Sequence, residues 1–138
     1  MPEKFEIIDH TADIGLIIHG DSLQQVFANA AAGMFSLITD TDKIKPVIRQ
    51  EIELSADDME SLLIDWLNEL LYLLDVNQVV FGKFEITELT DNRLKAICYG
   101  EKINGRHEIR REIKAATYHM LNLGKEGKGY KAQVIFDL

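Results

Sequence analysis

Two segments of the chain repeat apolar residues at the three- and four-residue spacing of an amphipathic helix. The first begins after Ser22, which forms a capping-box pattern with Gln25, and Thr39-Asp40-Thr41-Asp42 closes it. Small residues crowd its middle, between Ala28 and Gly33, and they predict that another part of the chain packs very close to it. Its apolar positions are Leu23, Val26, Phe27, Ala30, Ala31, Met34, Phe35 and Ile38.

The second helical segment starts at Ser55-Ala56-Asp57-Asp58, where acidic residues suit the positive end of a helix. Ile64, Tyr72 and Leu73 add apolar surface outside its main stripe, which predicts a helix buried on more than one side. The alternative is an interface with a partner or with a second copy of the chain, because exposed apolar patches mark interfaces. The main stripe consists of Leu62, Leu63, Trp66, Leu67, Leu70, Leu71 and Leu74.

The remaining apolar runs have the short, alternating pattern of strands. In residues 47–54, Ile48, Gln50, Ile52 and Leu54 share one face, while Val47, Arg49, Glu51 and Glu53 share the other. A tight Asp91-Asn92 turn joins two of the strands, and a glycine-rich segment from Gly124 to Gly129 joins another pair. The strands are predicted at residues 5–8, 14–19, 47–54, 79–90, 93–103, 118–123 and 130–136.

A third, shorter helix is predicted from Glu108 to Thr117. Strands mixed with helices, without regular β-α-β alternation, indicate the α+β class. We therefore expect a mostly antiparallel sheet packed with two long helices and one shorter helix. No repeat or linker interrupts the 138 residues, so residues 1–138 are expected to form a single domain.

Composition narrows the class of protein. The chain is 46% hydrophobic and 28% charged, which is typical of a folded protein, and its formal net charge is −8. Such an acidic protein is repelled by phosphate backbones, so no direct nucleic acid binding is expected, although local basic patches exist. One patch comprises Lys125, Lys128 and Lys131; the other comprises Arg106, Arg110, Arg111 and Lys114, for which a solvated helix face is the simpler interpretation.

The sequence also indicates a compartment. No apolar run is long enough to span a membrane, and the N-terminus lacks the pattern of a secretory signal. Cys98 is the only cysteine, so the chain cannot form an internal disulfide, and a buried strand residue is the expected role. We expect a cytoplasmic protein without membrane contact.

No standard enzyme signature is present: no phosphate-binding glycine loop, nucleophile elbow, His-Glu-x-x-His helix or twelve-residue calcium loop. A polar cluster stands out instead, formed by Asp9, His10, Thr11 and Asp13 between two apolar strands. Hydrogen bonds from Asp and Thr side chains to the backbone of a turn explain this cluster about as well as a functional site does. Asp13 as a metal ligand would need further oxygens from elsewhere in the chain.

The last residues of the sequence could supply those oxygens. The strand at residues 134–136 is followed by Asp137 and Leu138, an acidic side chain and a free carboxylate. Nearby negative charges repel unless a cation or a basic residue neutralises them. Lys114 could neutralise such a cluster or receive a phosphate. A solvated terminus is the alternative, and His107 and His119, taken singly, are typical structural or surface histidines.

Four segments, in order along the chain, resemble the motifs of the archease family. Asp9-His10-Thr11-Ala12-Asp13-Ile14-Gly15 resembles its N-terminal motif, and residues 62–71 resemble its central helix. Residues 113–119, Ile-Lys-Ala-Ala-Thr-Tyr-His, resemble its third motif, and residues 134–138, Val-Ile-Phe-Asp-Leu, its terminus. Together the four segments span nearly the whole chain.

The resemblance implies a compact α+β fold and a role with RtcB-type RNA ligases in tRNA splicing and RNA repair. Archeases promote guanylylation of the ligase, a step that uses GTP and divalent metal, restore its turnover and broaden the nucleotides it accepts. The resemblance places a divalent metal site, with calcium as the expected ion, at Asp13, Asp137 and Leu138. His10, Lys114 and His119 fall within family motifs and are further candidate contacts.

We therefore expect an accessory protein of the ligase that is not itself an enzyme. Two other classes stay open. A stand-alone metal-dependent phosphohydrolase would use Asp13, Asp137 and His119, although the missing enzyme motifs count against it. A general chaperone or scaffold would use the apolar surface of the Leu62-to-Leu74 helix, and a homo-oligomer is a further alternative for that surface.

Overall fold

The structure is a computed structural model that describes residues 4–9 and 13–138. Helices and strands alternate irregularly along the chain. A 3-10 turn at Thr41–Lys43 follows the first helix. The elements are β1 (Phe5–Asp9), β2 (Asp13–Gly20), α1 (Leu23–Ile38), β3 (Ile48–Ser55), α2 (Met59–Asn77), β4 (Val79–Leu89), β5 (Arg93–Lys102), β6 (Ala115–Glu126) and β7 (Gly129–Asp137).

The strands form two antiparallel sheets, one of four strands in the order β1-β2-β7-β6 and one of three in the order β3-β5-β4. Both sheets and both long helices contribute to one hydrophobic cluster. Trp66 of α2 is fully buried in it, and its indole nitrogen donates a 2.9 Å hydrogen bond to the carbonyl of Phe27 in α1. The predicted α+β class, with mostly antiparallel strands, is confirmed.

The predicted features of α1 are confirmed. The Ser22 hydroxyl accepts a hydrogen bond from the Gln25 backbone N–H at 3.1 Å, and the Gln25 side chain accepts one from the backbone N–H of Asp21. The close approach occurs at Gly33, where a Cβ atom would lie 3.0 Å from Leu16 and 3.1 Å from the ring of Phe5. The small residues of α1 therefore allow β1 and β2 to pack directly against it.

Helix α2 is buried on more than one side, as its pattern predicts. Its N-cap is Asp58, whose carboxylate accepts a 2.7 Å hydrogen bond from the Ser61 N–H. Ile64 and Leu73, which lie outside the main stripe, are buried, whereas Tyr72 is 59% exposed. Most of the apolar surface of the helix is thus used inside the chain.

The predicted helix from Glu108 to Thr117 is wrong. Residues 103–114 form an irregular connecting segment, and strand β6 begins at Ala115. The backbone of this segment bonds to the end of α1: the Arg110 N–H donates to the Ile38 carbonyl at 2.7 Å, and the Thr39 hydroxyl donates to the Glu108 carbonyl at 2.8 Å. The last carbonyls of a helix have no partner within it, so this segment satisfies one of them and forgoes its own helical bonds. The basic residues at 106–114 therefore share no helix face.

The other strand predictions agree with the structure to within one residue at each end, except for the strand predicted at residues 118–123, which is Ala115–Glu126 in the structure and is irregular between Thr117 and Asn122. The buried and half-buried positions of β3 are those predicted, with Ile52 buried and Glu51 and Glu53 exposed. Cys98 of β5 is fully buried, and that burial raises the pKa of its thiol to about 12, which confirms a structural role. Within the residues that the structure describes, neither long helix has the length and apolar character needed to cross a membrane.

Candidate functional site

The candidate site lies where strands β2 and β7 meet at one end of the four-stranded sheet. The two strands pair antiparallel, and their register sets Asp13 directly opposite Asp137. Directly opposite residues point to the same face, with their Cβ atoms about 4.5–5.5 Å apart. The next pair, Ile14 and Phe136, is buried in the core, so alternation turns the two aspartates to the face away from the helices. The structure thus brings together two acidic residues that stand far apart in sequence.

The surroundings of the two carboxylates differ. Asp13 is half-buried, and its Oδ1 atom is shielded from solvent without a hydrogen-bond partner among the described residues. Asp137 is exposed, and Leu138 is half-buried against the core. A shielded oxygen without a donor is unfavourable, and so are like charges directly opposite each other on neighbouring strands. A bound cation, or a donor from another molecule, would relieve both.

The carboxylate oxygens of Asp13 and Asp137 are of the kind that a hard divalent cation binds, but two side chains are too few to complete its coordination shell. Carboxylate oxygens are the ligands that calcium prefers. In the described ranges, however, no group of three or more His, Cys, Asp or Glu side chains is placed to hold a metal ion. The predicted third donor, the Leu138 carboxylate, stays a prediction. His10, another sequence candidate, lies outside the described residues.

Lys114 lies at the edge of this acidic pair. Its backbone N–H donates a 2.9 Å hydrogen bond to the carbonyl of Asp137, and the following residue, Ala115, is the register partner of Asp137 on the other side. The Lys114 side chain is exposed and forms no ion pair with a described carboxylate. The Lys114 backbone is therefore fixed beside Asp137, and the charged side chain of Lys114 extends into solvent next to this end of the sheet.

His119 is not brought to the acidic pair. It follows Ala115 by four residues on β6, within the stretch where the register with β7 shifts, so it is displaced along the strand from the residue that faces Asp137. It is exposed and lies in an irregular part of that strand. His107 lies elsewhere: its side chain is fully buried, with Nε2 3.1 Å from a Glu101 carboxylate oxygen and Nδ1 accepting from the Asn104 N–H. It is a structural histidine, in agreement with the simpler sequence interpretation.

One supporting residue was missed by sequence reasoning. Asn68 of α2 donates through its amide nitrogen to the Ala116 carbonyl at 3.1 Å, and its Oδ1 accepts from the Ala116 N–H at 2.8 Å. Both backbone groups of Ala116 are thereby fixed to α2, two residues after Lys114. The signal for it was an asparagine between Leu67 and Leu70 of the apolar stripe of α2.

Comparison with known proteins identifies the family. The model of the archease protein family matches residues 5–138. The chain belongs to the archease family. The archease of Methanosarcina mazei is 44% identical over 141 residues, covering 99% of this chain and 97% of that protein.

Two solved structures show the same fold. The solution structure of protein 1598 of Methanobacterium thermoautotrophicum is 40% identical, with a TM-score of 0.82 over 98% of this chain and 99% of that one. A crystal structure from Thermotoga maritima, described as an archease and possible chaperone, has a TM-score of 0.66 over 95% of this chain and 94% of that one. At 23% identity, that second likeness shows the fold alone.

An apolar groove adjoins the acidic pair of this archease-family chain on the helix side. It has a volume of about 730 Å³ and lies between α2 and the connecting segment of residues 103–114. Its end near the acidic pair is formed by Lys114 and Ala115. Two large apolar residues on its walls are exposed, Tyr72 at 59% and Ile109 at 44%.

Two other clusters of charged residues lie away from this site. Glu101 is buried, and the backbone N–H of Lys45, followed by Arg106 and His107, lowers the pKa of its carboxyl to about 2. This cluster fastens the connecting segment to the loop after α1.

His19 bonds to Glu6 through one ring nitrogen and to Glu126 through the other, and chiefly the bond to Glu6 raises the pKa of its ring. The Glu6 and Glu126 carboxylates bond to opposite nitrogens of the ring, so the three side chains cannot bind one cation together.

Proposed function

We propose that this chain activates an RtcB-type RNA ligase by promoting guanylylation of the ligase, and that it does so as a helper protein without catalysing the reaction alone. The observation that carries the proposal is the facing pair of Asp13 and Asp137, with a shielded carboxylate oxygen that lacks a described partner. A site in that state is suited to a cation or to donors that another protein brings.

Asp13 and Asp137 would hold the divalent cation, with the Leu138 carboxylate as the third protein donor. When bound there, calcium or another divalent ion would supply positive charge for the phosphates of a nucleotide. Their register fixes the two side chains on one face before any ligand binds. Little ordering is then required of these residues on binding.

Lys114 would contact the phosphates of the nucleotide. Its side chain is exposed and free of ion pairs with the described carboxylates, while its backbone is fixed to Asp137. The double hydrogen bond between Asn68 and Ala116 keeps this part of β6 on α2. Asn68 is therefore a positioning residue for Lys114.

These groups orient and neutralise charge, and the attacking nucleophile would come from the ligase. Phosphoryl transfer is catalysed largely by positioning and by charge neutralisation, so a second protein can contribute to it without changing its chemistry. The net charge of −8 also favours a protein partner over direct contact with RNA.

The test is a guanylylation assay of the ligase at limiting divalent metal, with and without this protein. Asp13→Asn and Asp137→Asn keep side-chain shape and remove charge, and each should abolish most of the stimulation. Asp65→Asn, an exposed aspartate on α2, is the matched control and should stimulate like the parent protein. Full stimulation by both folded site variants would refute the proposal.

A second candidate is a general chaperone, favoured by the exposed Tyr72 and Ile109 beside the groove. The Thermotoga maritima protein carries the description of possible chaperone, which is consistent with this candidate. It predicts that the protein suppresses aggregation of unrelated clients. Substituting Asp13 would not change that activity, whereas substituting Tyr72 would reduce it.

A further inference from the structure

Strand β6 is interrupted shortly after the acidic pair. Thr117 pairs with Ile135 of β7, and the next pair in the register is Asn122 with Gln133. Residues 118–121 therefore face a single residue of β7, and we call them the 118–121 bulge. The Gln133 side chain donates a 3.0 Å hydrogen bond to the Met120 carbonyl, and the Thr117 hydroxyl donates one of 2.8 Å to the Ile135 carbonyl. The bulge is thus held in place on both sides.

The bulge presents two large apolar side chains to solvent. Tyr118 is 57% exposed and Met120 is 63% exposed. Met120 also has a left-handed backbone, with φ of 52°, which costs a residue with a side chain about 1 kcal/mol or more. Single exposed apolar residues are ordinary, but two in three residues, with one in a strained conformation, are not explained by the core. Tyrosine and methionine are enriched at protein interfaces.

The bulge lies within reach of any partner that meets the acidic pair. Tyr118 follows Ala115, the register partner of Asp137, by three residues, which corresponds to about 10 Å along the strand. A standard interface covers about 800 Å² per partner, equivalent to a disc of about 16 Å radius. An interface of that size centred on Asp137 would therefore include Tyr118 and reach to Met120.

We propose that the 118–121 bulge is the anchor by which the ligase docks, with Tyr118 and Met120 inserted into an apolar pocket beside the ligase's nucleotide site. This inference rests on the proposed function. The extra residues break the regular outer edge of β6, so side chains, and not an added strand, would make the contact. The bulge contains no aspartate, glutamate, lysine or arginine, which matches an apolar pocket.

Ligase binding and ligase stimulation should respond to different substitutions. The double variant Tyr118→Ser with Met120→Gly should raise the dissociation constant for the ligase at least about tenfold, a change of about 1.4 kcal/mol. Its stimulation of guanylylation should approach the parent value once the ligase is saturated. Asp137→Asn should differ from it, because its stimulation should stay lost even when the ligase is saturated. Val47→Ser, at a residue 72% exposed that immediately precedes β3 of the other sheet, is the control and should change neither.

The experiment separates this inference from the function on which it rests. Titration of labelled ligase gives the dissociation constant, and thermal unfolding verifies that each variant is folded; glycine suits the left-handed backbone at position 120. A folded double variant that binds within twofold of the parent would overturn the docking proposal. Weaker binding on substitution of Tyr72 and Ile109, without an effect of the bulge, would overturn it in favour of the groove. If the parent protein itself neither binds nor stimulates the ligase, the proposed function fails, and the docking proposal fails with it.

Discussion

Removing one charge of the acidic pair should stabilise the metal-free protein while it abolishes function. Asp13 and Asp137 face each other across β2 and β7, so their carboxylates repel. For charges about 5 Å apart, the repulsion is about 0.8 kcal/mol in bulk water and about 3 kcal/mol at the lower effective dielectric near a protein surface. Asp137 is exposed, so a repulsion of about 1 kcal/mol is expected.

That energy corresponds to a measurable shift in melting temperature. An unfolding entropy of about 2.1 cal/mol/K per residue gives about 0.29 kcal/mol/K for this chain, so about 1 kcal/mol is about 3 °C. In a chelating buffer at low salt, Asp137→Asn should therefore melt about 3 °C above the parent protein. The gain should shrink in about 1 M salt, because exposed charges are screened.

Added calcium should reverse this order. It should raise the melting temperature of the parent protein, since an ion that binds only the folded state stabilises it, and it should leave Asp137→Asn nearly unchanged. Asp65→Asn, which removes one charge from α2, should keep the calcium response. The reasoning is refuted if Asp137→Asn melts below the parent in chelator, or if it keeps the full calcium-dependent shift.

Three further substitutions test how the scaffold is held. Asn68→Ala leaves both backbone groups of Ala116 without their side-chain partner and should cost about 2 kcal/mol in a urea titration; a loss below about 0.5 kcal/mol would contradict the positioning role. Gly100→Ala would place a Cβ atom 1.9 Å from the Val80 carbonyl oxygen and should cost about 3 kcal/mol or more, whereas Gly105→Ala, with nothing within 4 Å, should be tolerated. Glu101 has a folded pKa of about 2 against an ordinary 4.5, so it should contribute stability above pH 4.5 that is lost as pH falls toward 2. Glu101→Gln should flatten that part of a pH–stability curve, and an unchanged slope would count against the assignment.

Local patterns predicted the elements whose stabilising contacts are local. The cap at Ser22 and the hairpin turn at Asp91-Asn92 depend on residues within a few positions, and both occur where the sequence indicated. The helix predicted from Glu108 to Thr117 failed for the opposite reason. Its backbone partners, the Ile38 carbonyl and the Thr39 hydroxyl, lie about seventy residues earlier in the chain, where a local pattern cannot detect them.

The candidate site was predicted as a set of residues, and its geometry needed the fold. Asp13 and Asp137 stood out as acidic residues at the ends of apolar runs, but nothing in either run specified that β2 and β7 are neighbours. Asn68 was overlooked because its role depends on Ala116 in another element. The strain at Met120 likewise follows from the register of β6 on β7 and has no signature in the residues themselves.

The position of the acidic pair follows from the register of the core. Ile14 and Phe136 are opposite each other and fully buried, and Gly15 makes room for Ile135, since a Cβ atom there would lie 2.7 Å from the Ile135 Cδ1 atom. A slip of one residue in either strand would turn its apolar residues outward and its aspartate into the core, which is far too costly to occur. The same contacts that stabilise the sheet therefore hold two mutually repelling carboxylates on its outer face. The repulsion is small beside the burial of Ile14 and Phe136, so the fold can maintain a site whose charge only a cation or a partner neutralises.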